Sequence, residues 1–137
     1  MRDSIVLDSS VIAPIFFPEE KTGQVMATLA DKRFITVDLA YAEVSNVAWK
    51  RCMFSHENMK ISREALTSCI TFISDVCDVV PARDLILDAF TDAHTYSITV
   101  YDALFLAAAQ RYKVPLLTLD TKLYQKTHRI ENVQLIS

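Results

Sequence analysis

Four acidic residues, Asp8, Glu43, Asp102 and Asp120, stand where buried strands end or buried helices begin. Asp8 closes the apolar run Ser-Ile-Val-Leu-Asp (4–8), and Asp120 closes Val-Pro-Leu-Leu-Thr-Leu-Asp (114–120). Asp102 opens the apolar stretch Tyr-Asp-Ala-Leu-Phe-Leu-Ala-Ala-Ala (101–109), and Glu43 lies one turn into a second helical stretch. A carboxylate at the end of a buried strand is costly to desolvate without a partner. No matching set of Lys or Arg stands beside these four in sequence. The partner that suits clustered carboxylates with no His or Cys company is a hard divalent cation.

Each acid alone has an ordinary alternative. Asp8 and Asp120 could be helix N-caps, Glu43 an exposed helical residue, and Asp102 a first-turn acid complementing the helix dipole. The surroundings lean toward chemistry. Asp8 is followed by the hydroxyls of Ser9 and Ser10, and Thr118 shares a strand face with Asp120. Asn46 falls on the same helical face as Glu43. Ser10 stands where an Asp-x-Asp phosphatase would need its second Asp. His56, His94 and His128 are scattered without zinc spacing. Asp84, Asp88 and Asp92 recur every fourth residue and read as a solvated helix face, with Asp92 open to a secondary cation role. Lys50, Arg51, Arg111 and Lys113 could touch phosphates, although scattered basic residues usually only solvate a surface. Trp49, Phe54, Phe72 and Phe105 read as core or interface.

The elements that must position these residues follow from periodicity. Strands are expected at 4–8, 34–37, 79–80, 116–119 and 133–136, with helices over 19–31, 39–53, 62–77, 84–95, 100–112 and 121–127. A short helix capped by Ser9 or Ser10 should stop before Pro18. Asp38, Ser62, Asp84 and Thr99 are the expected caps of later helices. Ile86, Phe90 and Ala93 are expected to face inward on their helix. Alternating short apolar strands and helices predict an α/β fold, a parallel sheet of about four to five strands covered on both faces. In such sheets, sites form outside the carboxyl ends of the strands, where Asp8 and Asp120 fall. A single Gly in the chain excludes a glycine-rich phosphate loop.

The bulk numbers permit this reading. At 137 residues, 51% of them hydrophobic, the chain suits one globular domain, 1–137. No apolar stretch approaches the roughly 18–20 residues of a membrane span, and the N-terminus does not resemble a signal peptide. Cys52, Cys69 and Cys77 form no Cys-x-x-Cys and read as reduced thiols, so a cytoplasmic protein is expected. The formal net charge is −3, and with the four acids set aside the remainder carries a net +1. A polyanionic substrate is therefore compatible with the rest of the chain.

The ordered set Leu-Asp-Ser-Ser-Val-Ile, Ala-Glu-Val-Ser-Asn-Val, Tyr-Asp-Ala-Leu-Phe-Leu-Ala-Ala-Ala and Leu-Thr-Leu-Asp-Thr-Lys-Leu resembles the PIN-domain family, and most closely the toxins of VapBC-type toxin–antitoxin systems. The resemblance spans essentially the whole chain, and 99–123 is its most specific part. It implies a PIN-like three-layer sandwich and a metal-dependent endoribonuclease using Mg²⁺ or Mn²⁺ to activate water. It also implies an RNA substrate, a homodimer and an antitoxin partner. The implied catalytic set is Asp8, Glu43, Asp102 and Asp120, with Asp8, Asp102 and Asp120 as metal ligands and Ser9, Asn46 and Thr118 in support. The same residues would serve a catalytically silent RNA- or protein-binding module, and a phosphatase acting on small substrates is a third reading. The apolar N-terminal residues Ile15, Phe16, Phe17 and Met26 are expected to help form a dimer or partner groove.

Overall fold

The computed structural model describes residues 2–137. Five strands, β1 (Ser4–Leu7), β2 (Arg33–Val37), β3 (Asp78–Val80), β4 (Leu116–Thr118) and β5 (Val133–Leu135), form one parallel sheet in the order β3-β2-β1-β4-β5. Seven helices connect and cover them: α1 (Ser9–Phe16), α2 (Thr22–Leu29), α3 (Leu39–Phe54), α4 (Met59–Asp75), α5 (Ile86–Tyr96), α6 (Val100–Tyr112) and α7 (Thr121–Thr127). The expected α/β class and strand number hold.

Ile5, Val6 and Leu7 of β1 are all buried. Successive strand residues point to opposite faces, so β1 is covered on both sides. The helices fall into two packing groups, α5 with α6, and α1 with α2, α3 and α4. α6 is the deepest helix, with every residue from Ala103 to Ala109 buried, as an all-round apolar helix requires. Thr99 caps it, accepting from the Asp102 amide at 3.1 Å.

The chain runs from β1 to β2 on one side, while β4 pairs with the other edge of β1. The order reverses between β1 and β4. That switch point opens a crevice at the strands' carboxyl ends, and Asp8 and Asp120 flank it.

Several local expectations are corrected. Neither Ser9 nor Ser10 caps α1, since both hydroxyls are spent on acidic side chains. The helix expected over 19–31 begins only at Thr22. Asp38 occupies the N-cap position of α3, yet its carboxylate accepts from the Ala82 amide across the chain. Asn58, not Ser62, caps α4, accepting from the Lys60 and Ile61 amides at 2.8 and 3.3 Å. Ser62 is buried inside the helix and bonds Glu57. Asp84 belongs to a 3-10 turn over 82–84 rather than to the start of α5. On α5 the buried residue is Ala89, whereas Ile86 and Phe90 are exposed.

The N-terminal apolar surplus is largely absorbed. Phe17 is buried, Ile15 and Phe16 pack against the core, and Phe16 meets Phe72 on α4 at 5.6 Å between ring centroids. Only Met26 of that group is exposed. All three cysteines are free, and burial pushes the Cys69 and Cys77 thiols up to about 12, which leaves them inert. Among the described residues, no helix is long and apolar enough to cross a membrane.

Candidate active site

A cleft of about 870 Å³ opens at the switch point, and Asp8, Glu43, Asp102 and Asp120 all line it. Their delivery is a matter of topology. Asp8 follows β1, Asp120 follows β4, Glu43 comes from the first turns of α3, and Asp102 from the first turn of α6. Ser9 and Asn46 also line the cleft. Thr118 is buried beneath it, reaching the site through Asp8.

Asp8 does not act as a side-chain cap. It stands at the N-cap position of α1, but its side chain makes no capping bond. Its two carboxylate oxygens instead take hydroxyls, Oδ1 from Ser10 at 2.5 Å and Oδ2 from Thr118 at 2.6 Å. The residue is only 6% exposed, and no cation pairs with it among the described residues. Burial pushes its pKa up to about 6, opposed by those two hydroxyls and reinforced by the charge of Asp102. Such hydrogen bonds stabilise the ionised form, but here they do not outweigh desolvation.

Glu43 is half-buried rather than solvent-facing, and the Ser9 hydroxyl donates to its Oε1. Its pKa is raised, first by burial and then by Asp102, with Ser9 pulling the other way. Asp102 is raised as well, by burial and by Asp120, with the Thr99 hydroxyl and then Lys126 opposing. Asp102 is thus the electrostatic hub, coupled to each of the other three acids. Asp120 has two tasks. Its Oδ1 caps α7, accepting from Lys122 and Leu123 at 2.9 and 3.1 Å, and the side chain still lines the cleft.

Ser10 is the residue that sequence reasoning undervalued. Its hydroxyl donates to Asp8, lies 3.4 Å from the Thr118 hydroxyl, and accepts the Leu119 amide at 3.0 Å. It therefore ties the end of β1 to the segment that delivers Asp120. The tandem hydroxyls after Asp8 were the visible signal; their division of labour, Ser9 to Glu43 and Ser10 to Asp8, needs the fold. Ser10→Ala leaves a part-buried amide unpaired and Asp8 with one hydroxyl, so it should cost roughly 1–3 kcal/mol of stability. Urea denaturation would check this, and an unchanged midpoint would mean that water replaces the hydroxyl without loss.

Tyr101, Lys50 and Arg51 also face the cleft. Arg51 is already committed, to Glu57 at 3.2 Å, to the Pro18 carbonyl at 2.7 Å and over the Phe17 ring. Lys50 makes no ion pair among the described residues.

The donor set is carboxylate and hydroxyl oxygen, the chemistry preferred by Mg²⁺ and Mn²⁺. Among the described residues, no three acidic, His or Cys side chains converge tightly enough to enclose an ion by themselves. Mg²⁺ keeps several waters and binds through one or two carboxylates plus substrate oxygens, so it does not require a closed protein cage. The cluster has excess negative charge, and a dication would relieve it. The residues present fit a divalent cation.

Comparison with known proteins is consistent with this geometry. The PIN domain family matches residues 5–128. Ribonuclease VapC3 of Pyrobaculum aerophilum is 32% identical over 129 residues, covering 89% of this chain and 93% of that protein. Among solved structures, Mycobacterium tuberculosis VapC20, described as a sarcin–ricin loop cleaving toxin, superposes with a TM-score of 0.72 at 16% identity, covering 90% of this chain and 95% of its own. A toxin–antitoxin complex from Klebsiella pneumoniae gives 0.67 at 18% identity, covering 97% and 98%. At those identities the two structures establish likeness of fold.

Proposed function

This chain belongs to the PIN-domain family, and we propose that it is a metal-dependent endoribonuclease, the toxin of a toxin–antitoxin pair. The observation that carries the proposal is the delivery of four carboxylates, from the ends of β1 and β4 and from α3 and α6, to one cleft with no ion pair among the described residues to neutralise them. The ribonuclease assignment draws on the relative named Ribonuclease VapC3.

Asp8, Asp102 and Asp120 would hold Mg²⁺ or Mn²⁺. When bound, such an ion supplies Lewis-acid polarisation of the phosphoryl oxygen and a lowered pKa for a coordinated water. The chain's own residues do the positioning. Ser10 and Thr118 fix both oxygens of Asp8, and the cap of α7 fixes Asp120. Ser9 orients Glu43, whose raised pKa suits a group that aligns a water and accepts its proton as it attacks phosphorus. Asn46 and Lys50, which line the α3 wall of the cleft, would contact substrate oxygens. Attack by water does not use the ribose 2′-hydroxyl, so the chemistry is open to DNA as well, and the preference for RNA rests on the relative.

A protein partner is part of the proposal. Trp49, Met53, Phe54, Met59 and Ile61 are exposed around the junction of α3 and α4, and Ile86, Leu87 and Phe90 on α5. Such surfaces suit an antitoxin segment and a second copy of the chain.

The test is incubation of the purified protein with mixed RNA and with DNA, each with Mg²⁺, with Mn²⁺ and with a chelator. Endonucleolytic cleavage of RNA that requires metal and stops with chelator is the expected result. Metal binding without cleavage under any condition would replace the nuclease with the binding-module reading.

A further inference from the structure

Three aromatic rings line the cleft, Phe17, Phe105 and Tyr101. Phe17 and Phe105 are 2% and 1% exposed and belong to the core, whereas Tyr101 is 62% exposed. Its hydroxyl makes no hydrogen bond among the described residues. A large ring left open in a polar cleft contributes little to folding; burying it would contribute far more. It precedes Asp102 directly, so it stands at the mouth of α6 beside the electrostatic hub. The cleft's two cations, Lys50 and Arg51, both come from α3, the wall that also carries Glu43.

The cleft therefore divides by chemistry. Carboxylates from the ends of β1 and β4 and from α3 and α6 line the crevice, α3 adds positive charge beside Glu43, and α6 offers one solvent-facing aromatic face. We infer that Tyr101 is a nucleobase subsite, stacking an unpaired base that neighbours the scissile phosphate. This deepens the nuclease reading and rests on it. A phosphodiester held at the acidic crevice by the proposed dication would leave the bases on either side of it free to turn toward the rim. The rim aromatic next to Asp102 can receive one of them, and stacking on an aromatic ring tolerates any base. Tyr101 thereby sets the register of the strand without taking part in the bond-breaking step.

The experiment measures binding, so that it stands apart from cleavage. Fluorescence anisotropy would give Kd values for a short labelled oligoribonucleotide and for an abasic sugar–phosphate oligomer of equal length, in the Asp102→Asn background with Mn²⁺ present. Base stacking worth roughly 1–3 kcal/mol corresponds to roughly 5- to 150-fold in Kd. The Asp102→Asn protein should prefer the base-bearing oligomer by about that margin. Adding Tyr101→Ala should raise the Kd of that oligomer and erase the preference, while Tyr101→Phe should keep it. A preference for bases that survives Tyr101→Ala, or no preference in the starting protein, overturns the subsite. Failure of the nuclease reading would show separately, as an unaltered wild-type protein that binds the oligomer and never cuts it.

Discussion

Asp102→Asn is expected to lower RNA cleavage by about a thousandfold, with the fold intact. The helix cap at this position uses the backbone amide of residue 102 and the Thr99 hydroxyl, so an isosteric amide side chain leaves α6 undisturbed. What changes is charge at the hub. Asp102 acts on Asp8 and Glu43 and is itself acted on by Asp120. Removing that charge subtracts a proposed metal ligand and leaves substrate binding elsewhere in the cleft untouched, so the loss should fall on kcat. Removal of one preorganised electrostatic group at an active site commonly costs 10²–10³, about 3–4 kcal/mol of barrier. Single-turnover cleavage at saturating Mg²⁺ would measure it, with Asp88→Asn on the exposed face of α5 as the control. A rate within tenfold of wild type would mean that the four acids are not one site.

Why the acids were legible in sequence and their support was not is a question of range. Asp8 and Asp120 follow apolar strands, and Asp102 precedes a helix apolar on every side; burial and strand ends are local patterns. The α/β alternation then implies a parallel sheet, and a parallel sheet implies where its strand ends point. Hydrogen-bond partners carry no such local signal. Ser10 meets the Leu119 amide across 109 residues of sequence, and nothing near Ser10 announces it. Caps fail for a related reason: Asn58 and Ser62 are both capping residue types one turn apart, and the choice turns on Ser62 finding Glu57 in a partly buried corner. The face of α5 is a different case. Two apolar sets interleave on that helix, Leu85 and Ala89 against Ile86 and Phe90, and periodicity alone cannot rank them. Ala89 sits inward where α6 packs against α5, and Leu85 at the N-cap of α5 is buried with it. The other set is left outward, where a partner surface is proposed. Tyr101 was hidden in plain view, since exposure of an aromatic at a helix mouth depends on what the rest of the fold leaves uncovered.

The buried acid at the end of β1 gives the second large effect, on stability. Asp8→Asn should make the metal-free protein more stable than wild type at pH 8. The folded-state pKa of Asp8 is pushed up to about 6 from an ordinary value of 3.8, chiefly by burial. The native state therefore binds this proton more tightly than the unfolded chain does. The stabilisation is fully present below pH 3.8, is lost as pH rises toward about 6, and above that the ionised group remains a fixed penalty. A shift of this size corresponds to about 3 kcal/mol. Asparagine removes the penalty but accepts only one hydroxyl where the carboxylate accepts two, so the net gain should be roughly 1–3 kcal/mol. Glu43 and Asp102 are raised in the same direction, so wild type in chelator should lose stability steadily from pH 4 to pH 7. Urea denaturation at pH 4 and pH 8 would show the variant's advantage only at the higher pH. Mg²⁺ should then narrow the gap at pH 8 by stabilising wild type more than the variant, because Asp8 is a proposed ligand of the ion that favours the native state. A variant less stable than wild type in chelator at pH 8 would mean that Asp8 already has a compensating partner in the protein, and the case for a missing cation would fall with it.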